Sequence, residues 1–440
     1  MIKKLAYSFG AVATALSYQA FSTYIIFFYV DVIKLPAYLA AIGMIIFAVW
    51  NAVNDPIAGY VSDITHTRWG RRIPYLAAGA IPFGIIFFLL WVPPFRGLEQ
   101  VSLLFLYFVI AICLFDGLYT VTILNWASLY PEMYPSLKER AQVNAYRQSF
   151  GMLGLVFGIA LPPLIYSHWG WNWMGAIFGV VISLALLTAL WGSRENKKFS
   201  QERSLGLWQA LKATFKNRSF MTFVISNLFV QYSFLIILAT IPFFAKYVLD
   251  QNPVGTSLIL ASAFLAAIPM LFVWERAAVK YGAKITFMAS MLFLAVFLVP
   301  LFFAKSFGAV LLTSVLIGSS LAGFILVSDV IISDIIDEDE LNTGTRREGI
   351  FFGTNALITR FAIGLQAASM STIFILSGYS PYVFTQPHGF EAGLRILIAG
   401  FPIAALALGF GVMMLYPLGG KKLEELRSKL AEVHAQKGIA

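Results

Sequence analysis

The stretch NAVNDPIAGYVSDITHTRWGRRIPY, residues 51–75, places an aspartate and a proline inside an apolar run and follows them with a basic turn. Ionisable side chains are costly inside a bilayer and mark ion or substrate pathways, so Asp55 indicates such a pathway. Lysine and arginine are enriched in cytosolic loops, so the turn with Arg68, Arg71 and Arg72 indicates the cytosolic side. The segment therefore predicts a membrane helix that ends at the cytosolic surface.

The composition of the whole chain agrees with this interpretation. Of its 440 residues, 59% are hydrophobic and 12% are charged, whereas a soluble protein of this length has far more charged surface. The first apolar run, 6–33, is too long for a signal-peptide core and lacks a small-residue cleavage site, so it is expected to remain as a membrane helix. The single cysteine, Cys113, excludes an intramolecular disulfide and a cysteine-based metal cluster.

Twelve apolar stretches of about 20 residues or more predict an all-α integral membrane protein. They lie near 6–33, 37–64, 73–93, 101–129, 138–167, 171–193, 219–248, 255–280, 283–304, 307–335, 347–378 and 391–417. The longest polar stretch, a cytosolic linker at 194–218, separates a six-helix bundle at 1–193 from a second at 219–417, and a cytosolic tail follows at 418–440.

Basic residues set the expected orientation of these helices. If both termini are cytosolic, most of the 31 lysines and arginines fall on the inside, and the outside loops hold only Lys34, Arg96, Lys246 and Lys305. This asymmetry predicts a multi-pass protein of the plasma (inner) membrane with both termini in the cytosol. Because the basic residues are spread over several loops, the net charge of +9 does not indicate nucleic-acid binding.

Two bundles of similar length are typical of transporters that work by alternating access. A membrane enzyme needs clustered nucleophiles, metal ligands or a cofactor motif, and the four histidines are scattered, so neither an enzyme nor a cofactor is expected. A channel is also disfavoured, because no short filter-like sequence is repeated. A sensor that binds its solute without moving it remains an alternative. The expected partners are a small-molecule solute, a coupling cation and the lipid bilayer, with the chain acting as a monomer.

Six ionisable residues fall inside the predicted spans, and four of them lie at similar depth. The six are Asp55, Asp116, Arg147, Asp329, Asp334 and Arg360. The four of similar depth are Asp55, Asp116, Arg147 and Arg360. Two acids and two bases at one level either pair only with each other and lock the helices together, or form part of a transport site.

The second and fourth predicted helices carry the polar residues expected at a cation site. Pro56 frees a main-chain carbonyl one turn before Asp55. Side chains four residues apart share a helix face, as do Asn51 and Asp55 on one helix and Asp116 and Thr120 on the other. We predict that a sodium ion or a proton is shared among Asn51, Asn54, Asp55, Asp116 and Thr120, with no other metal site.

Two motifs resemble the glycoside-pentoside-hexuronide cation symporters, the melibiose permease branch of the major facilitator superfamily. They are NDPIAGYVSDITHTRWGRRIPY at 54–75 and DIIDEDELNTGTRREGIFFGTNALITR at 334–360. Further similarity occurs in YSFGA at 7–11 and YTVTILNWASLYPEM at 119–133. The resemblance implies the major facilitator fold and a secondary transporter, a sodium- or proton-coupled symporter of a sugar, glycoside or sugar acid.

The chain departs from the family's cation pattern on the second helix. The sugar symporters carry two acids there, four residues apart, whereas here the first is Asn51 and only Asp55 remains. By the same motif alignment, Asp116 stands where those symporters have a glycine beside the cation pocket. A carboxylate is therefore expected to have moved to the fourth helix. The alternative is weakened sodium binding, with coupling to protons or none.

A second departure concerns the solute. Family galactoside carriers hold sugar hydroxyls with two aspartates, and the matching positions here are Ala15 and Ile123. Their basic partners match Arg147 and Arg360, and two bases without those acids favour an anionic ligand, either a sugar acid or an amphiphile with a phosphate head. A lysolipid carrier is thus the alternative to a sugar transporter. The pocket is expected to be completed by Tyr18, Gln19, Tyr119, Trp126 and Asn355, each of which suits helix packing equally well.

The two cytosolic motifs also predict an inner gate. Opposite charges on the two loops can form salt bridges that hold the inside closed and break when it opens. The residues expected to form it are Asp63, Arg68, Arg71, Arg72, Asp337, Arg346, Arg347 and Glu348. The alternative is that these charges only set the topology.

Overall fold

A computed structural model describes residues 1–65, 67–95, 98–134, 137–195, 214–343, 348–383 and 386–436. Within these ranges the chain is helical, and the only strand-like feature is an isolated bridge between Thr67 and Gly70. Twelve of the helices are long and apolar enough to cross a bilayer. The predicted all-α fold with twelve membrane helices is confirmed.

The first six membrane helices are α1 Ile2–Val32, α2 Ala37–Ile64, α3 Ile73–Leu90, α4 Val101–Met133, α5 Leu137–Trp169 and α6 Trp171–Gly192. The next five are α7 Arg218–Tyr247, α8 Pro253–Tyr281, α9 Ala283–Phe302, α10 Phe307–Thr343 and α11 Glu348–Leu376. The last, α12, joins His388–Arg395, a π-helical turn at Ile396–Gly400 and Phe401–Met414. A shorter tail helix, α13, follows at Lys421–Gln436.

Local sequence accounts for where several helices begin and end. The first membrane helix widens into a π-helical turn at Phe27–Val32 before it ends. Pro36 has an extended backbone and starts α2. The tail helix buries Leu426 and Leu430, which are four residues apart and share one helix face. Most of the cytosolic linker, 196–213, lies outside the described residues.

The chain forms two compact units. The first contains 1–203, 241–261 and 367–390, and the second contains 204–240, 262–366 and 391–440. The first unit therefore holds the six amino-terminal helices together with short segments from later helices. These segments are the carboxyl end of α7, the start of α8, and the end of α11 with the loop that follows it. The predicted boundaries at the cytosolic linker remain a prediction.

Candidate functional site

Polar side chains from α2 and α4 meet near the middle of these helices in the first unit. Asn51 donates an amide hydrogen to Oδ1 of Asp116, and Thr120 donates its hydroxyl to Oδ1 of Asp55 at 2.7 Å. Partners in both pairs are 65 residues apart in sequence, so the two helices run parallel here and the pairs form successive rungs. Asn54 completes the cluster by donating to Oδ2 of Asp116 at 3.1 Å and to its main-chain oxygen at 3.2 Å.

This cluster is almost closed to solvent. Asp116 is 1% exposed, Asn51 and Thr120 are each 3% exposed, and Asp55 is half-buried. A carboxylate in such surroundings is tolerated only when donors or a cation satisfy its oxygens. The five residues predicted as a cation site are thus brought together, and their cation-binding role remains a prediction.

Arg147 on α5 faces two aromatic rings of α4. Its guanidinium carbon lies 4.7 Å from the ring centroid of Trp126 and 4.8 Å from that of Tyr130, within the range of a cation–π interaction. Its Nε is buried and has no hydrogen-bond partner among the described residues. The side chain is therefore held in place by ring faces, and its predicted role in binding the solute stays a prediction.

Burial, ring stacking and main-chain hydrogen bonds hold Trp126 in place. It is 2% exposed, and its indole nitrogen donates to the main-chain oxygen of Tyr7 at 3.0 Å. The Tyr7 hydroxyl donates back to the main-chain oxygen of Trp126 at 2.9 Å, and the two rings stack with centroids 5.4 Å apart. Only the ring face toward Arg147 ties Trp126 to the candidate site.

The other residues predicted to bind the solute divide between the two units. In the first unit, the rings of Tyr18 and Tyr119 lie 5.7 Å apart, and Gln19 is half-buried with an Oε1 that has no hydrogen-bond partner in the described part of the chain. In the second unit, Asn227 donates to Oδ1 of Asn355 at 2.9 Å. Arg360, on α11, also lies in the second unit and is half-buried.

The basic turn after α2 is organised by an acid that the sequence analysis missed. The Glu195 carboxylate accepts main-chain hydrogens from Arg71 at 2.9 Å, Arg72 at 2.9 Å and Ile73 at 3.4 Å. Its Oε1 also lies 3.7 Å from Nε of Arg71, and only 5% of the Glu195 side chain is exposed. These amides belong to the start of α3, so Glu195, just beyond the end of α6, caps that helix.

Gly70 permits the approach of Glu195 in two ways. Its φ of +108° lies in a backbone region that residues with a Cβ rarely adopt. A Cβ built on Gly70 would stand 2.2 Å from Oε2 of Glu195. A signal for this contact was present in the sequence as an acid at the start of a basic linker. Nothing in the sequence paired that acid with a turn more than 120 residues earlier.

The predicted inner gate is only partly described. The Arg68 guanidinium lies 5.2 Å from the ring centroid of Trp69, and Asp337 is half-buried on α10. Arg346 and Arg347 lie outside the described residues, as do the side chains of Asp63 and Glu348. The gate therefore stays a prediction.

Comparison with known proteins identifies the family. The model of the family described as MFS/sugar transport protein matches residues 6–420, nearly the whole chain. The chain belongs to this family. The predicted membership in the symporter branch of the major facilitator superfamily is thereby confirmed.

Transporters with different named solutes are similar to this chain. It is 24% identical to the putative glycoside/cation symporter YagG of Escherichia coli, over 100% of this chain and 97% of that protein. It is 23% identical to sodium-dependent lysophosphatidylcholine symporter 1 of Gallus gallus, over 98% of this chain and 89% of that protein. The crystal structure of the nucleoside transporter NupG superposes with a TM-score of 0.69 at 14% identity, over 95% of this chain and all of that one, which shows a shared fold.

The Glu195→Gln substitution is expected to lower the midpoint of thermal unfolding by several degrees. The substitution removes a buried negative charge that accepts three main-chain hydrogens, and hydrogen bonds to charged groups contribute about 1.5–3 kcal/mol. The measurement is tryptophan fluorescence during heating in detergent. Glu99→Gln is the matched control, because Glu99 is exposed in the loop between α3 and α4 and its substitution should leave the midpoint unchanged. Equal midpoints for the two variants would contradict the capping role of Glu195.

Proposed function

We propose that this chain is a secondary transporter that couples a sodium ion or a proton to the movement of an anionic, sugar-like solute. The observation that carries the proposal is the buried cluster in which Asn51 and Asn54 hold Asp116 beside the pair formed by Asp55 and Thr120. The two hydrogen-bonded pairs are offset by four residues, about one helical turn, and a shared cation or proton would relieve the repulsion between their carboxylates in an apolar surrounding.

The ligand chemistry of the cluster suits a hard cation. Carboxylate, amide and hydroxyl oxygens are the groups that such ions prefer. In the present arrangement both amides turn hydrogens toward Asp116. Rotation of an amide about its terminal bond would present an oxygen to an arriving ion in place of a hydrogen. The cluster thus has donors that stabilise Asp116 without an ion and oxygens that can bind one.

Arg147 supports an anionic solute. Ring faces position it, no ion pair to it is seen within the described part of the chain, and a guanidinium so placed can bind a carboxylate or a phosphate. A sugar acid fits the relative named for glycosides, and a lysolipid fits the relative named for lysophosphatidylcholine. We favour the sugar acid and keep the lysolipid as the second candidate because of that relative.

Sodium titration of two matched threonine variants tests the cation site. Thr120 and Thr122 are both buried on α4, but only Thr120 donates to Asp55. We expect sodium to raise the unfolding midpoint of the native protein by mass action, and Thr120→Val to require about tenfold more sodium for the same rise, which corresponds to about 1.4 kcal/mol. Thr122→Val should respond as the native protein does.

The titration uses sodium chloride against choline chloride at equal ionic strength, at pH 8 and again at pH 6. If the midpoint responds to acidification and not to sodium, the coupling ion is a proton. If neither cation changes the midpoint of the native protein, the proposed coupling is wrong. Counterflow of labelled glucuronate or lysophosphatidylcholine in proteoliposomes then separates a carrier from a sensor, because a sensor shows no exchange.

A further inference from the structure

A buried acid at the outer end of α1 gathers donors from two later helical segments. Asp31 is 2% exposed and accepts hydrogen bonds from Nζ of Lys246 at 2.5 Å, from the Tyr379 hydroxyl at 2.7 Å and from the Tyr247 hydroxyl. Lys246 and Tyr247 end α7, and Tyr379 follows α11. All four residues belong to the first compact unit. One carboxylate therefore ties α1 to α7 and to the end of α11.

The backbone and the surrounding rings fix this acid in place. Asp31 lies in the π-helical turn Phe27–Val32, a rare geometry that is frequent at functional positions. The rings of Phe27 and Phe243 lie 5.1 Å apart, and Tyr379 stacks on Phe390 at 4.6 Å. Burial, reinforced by the negative charge of Asp31, raises the pKa of Tyr379 far above its ordinary value, so its hydroxyl stays protonated and donates.

A second tie lies just beyond the first. Lys34 has a φ of 73°, its ammonium donates to the main-chain oxygen of Pro381, and the Tyr382 hydroxyl donates to the main-chain oxygen of Lys34 at 3.0 Å. The same loop after α11 thus contacts the end of α1 through both Asp31 and Lys34. The two ties lie at the end of the helices that the charge pattern assigns to the outside.

We propose that Asp31, Lys246, Tyr247 and Tyr379 form a latch that closes the outer side of this transporter. In alternating access, helices of the first six must separate from helices of the last six on the side that opens. The latch joins α1 of the first six to α7 and α11 of the last six, so opening to the outside must break it. Its residues are separate from the cation cluster on α2 and α4.

The energetics of the latch suit a contact that is made and broken. A buried ion pair has a net stability near that of an apolar replacement, because desolvation offsets the attraction. The Lys246 side chain is already 46% exposed, whereas that of Asp31 is 1% exposed. Opening therefore mainly requires that water reach Asp31. Hydration of its carboxylate then replaces much of the interaction lost with Lys246. Removal of the carboxylate, by contrast, leaves three donors without their shared acceptor and favours the open side.

Distance measurement between spin labels tests the latch without a solute. Cysteines at Tyr38 and Val383, both exposed, are introduced into a Cys113→Ala background and labelled in lipid nanodiscs. We expect the native protein to give a narrow short-distance population. Asp31→Asn and Tyr379→Phe should each at least double the weight of longer distances, and the exchanged pair Asp31→Lys with Lys246→Asp should restore part of the short population.

Tyr379→Phe and one control variant keep the result decisive. Tyr379→Phe retains the packed ring and removes one hydroxyl, so it reports on the latch even if Asp31→Asn fails to fold. Lys305→Gln neutralises an exposed outer lysine and should leave the distances as in the native protein. The proposal is overturned if the folded latch variants keep the native distribution, or if Lys305→Gln changes it as much as they do.

Discussion

Asp116→Asn is expected to abolish the stabilisation that sodium or acidification gives to the native protein. Asp116 is 1% exposed, and Asn51 and Asn54 both hold its carboxylate, so an ion bound between α2 and α4 would depend on that charge. Removing one member of a buried charge pair typically costs about 3–5 kcal/mol. The affinity for the coupling cation should therefore fall by at least about 100-fold.

The unfolding midpoint of Asp116→Asn without added cation distinguishes the loss of a cation-binding side chain from damage to the fold. An amide costs less to bury than a carboxylate, so Asp116→Asn without added cation should unfold at the native temperature or higher. Asp329→Asn is the control, because it removes an acid from α10, far from α2 and α4 in sequence, and should keep the cation response. A native response in Asp116→Asn, combined with a lost response in Asp55→Asn, would remove Asp116 from the site.

The members of this cluster could be predicted because the signal is local to each helix. A spacing of four residues places Asn51 with Asp55, and Asp116 with Thr120, on single helix faces. The common offset of 65 residues between α2 and α4 could not be predicted from periodicity, since it depends on how the two helices are set against each other. The sequence therefore predicted which residues form the cluster, the structure supplied its register, and its cation-binding role stays a prediction.

The residues that sequence reasoning missed are those whose partners lie far along the chain. Glu195 resembled one more charge in a polar linker, and its role appears only where it meets the amides of Arg71 and Arg72. Asp31 lies at the end of a predicted span, where an acid needs no partner, and Lys246 was counted as an outer-loop charge. Their contact joins residues 215 positions apart, which no local pattern encodes.

The close approach of the α8 and α10 backbones could not be predicted from the sequence either. In the second unit, a Cβ built on Gly318 of α10 would stand 1.8 Å from the main-chain oxygen of Ala263 on α8. Nearby, Ala267 and Ala322 are buried against Trp274, whose indole nitrogen donates to the main-chain oxygen of Ser319 at 2.7 Å. Small residues at such positions let membrane helices pack tightly without a hydrophobic driving force between them.

Gly318→Ala is therefore expected to lower the unfolding midpoint by many degrees or to prevent recovery of folded protein. The new methyl group collides with backbone and not with a flexible side chain, so α8 and α10 must move apart, and overpacking of this kind typically costs about 1–3 kcal/mol. Gly308→Ala makes the same change in the same helix, where a Cβ meets nothing within 4 Å. It should leave the midpoint unchanged or raise it, because alanine favours helix by up to about 1 kcal/mol over glycine.

The comparison of the two glycine variants also separates an effect on stability from an effect on the response to cation. Gly318 lies on α10, whereas the cation cluster lies on α2 and α4, so any Gly318→Ala protein that is recovered folded should keep the cation response that Asp116→Asn loses. Tryptophan fluorescence on heating, with and without sodium at pH 8 and pH 6, gives both readings on one sample. A Gly318→Ala midpoint equal to that of Gly308→Ala would mean that α8 and α10 do not approach this closely in the membrane.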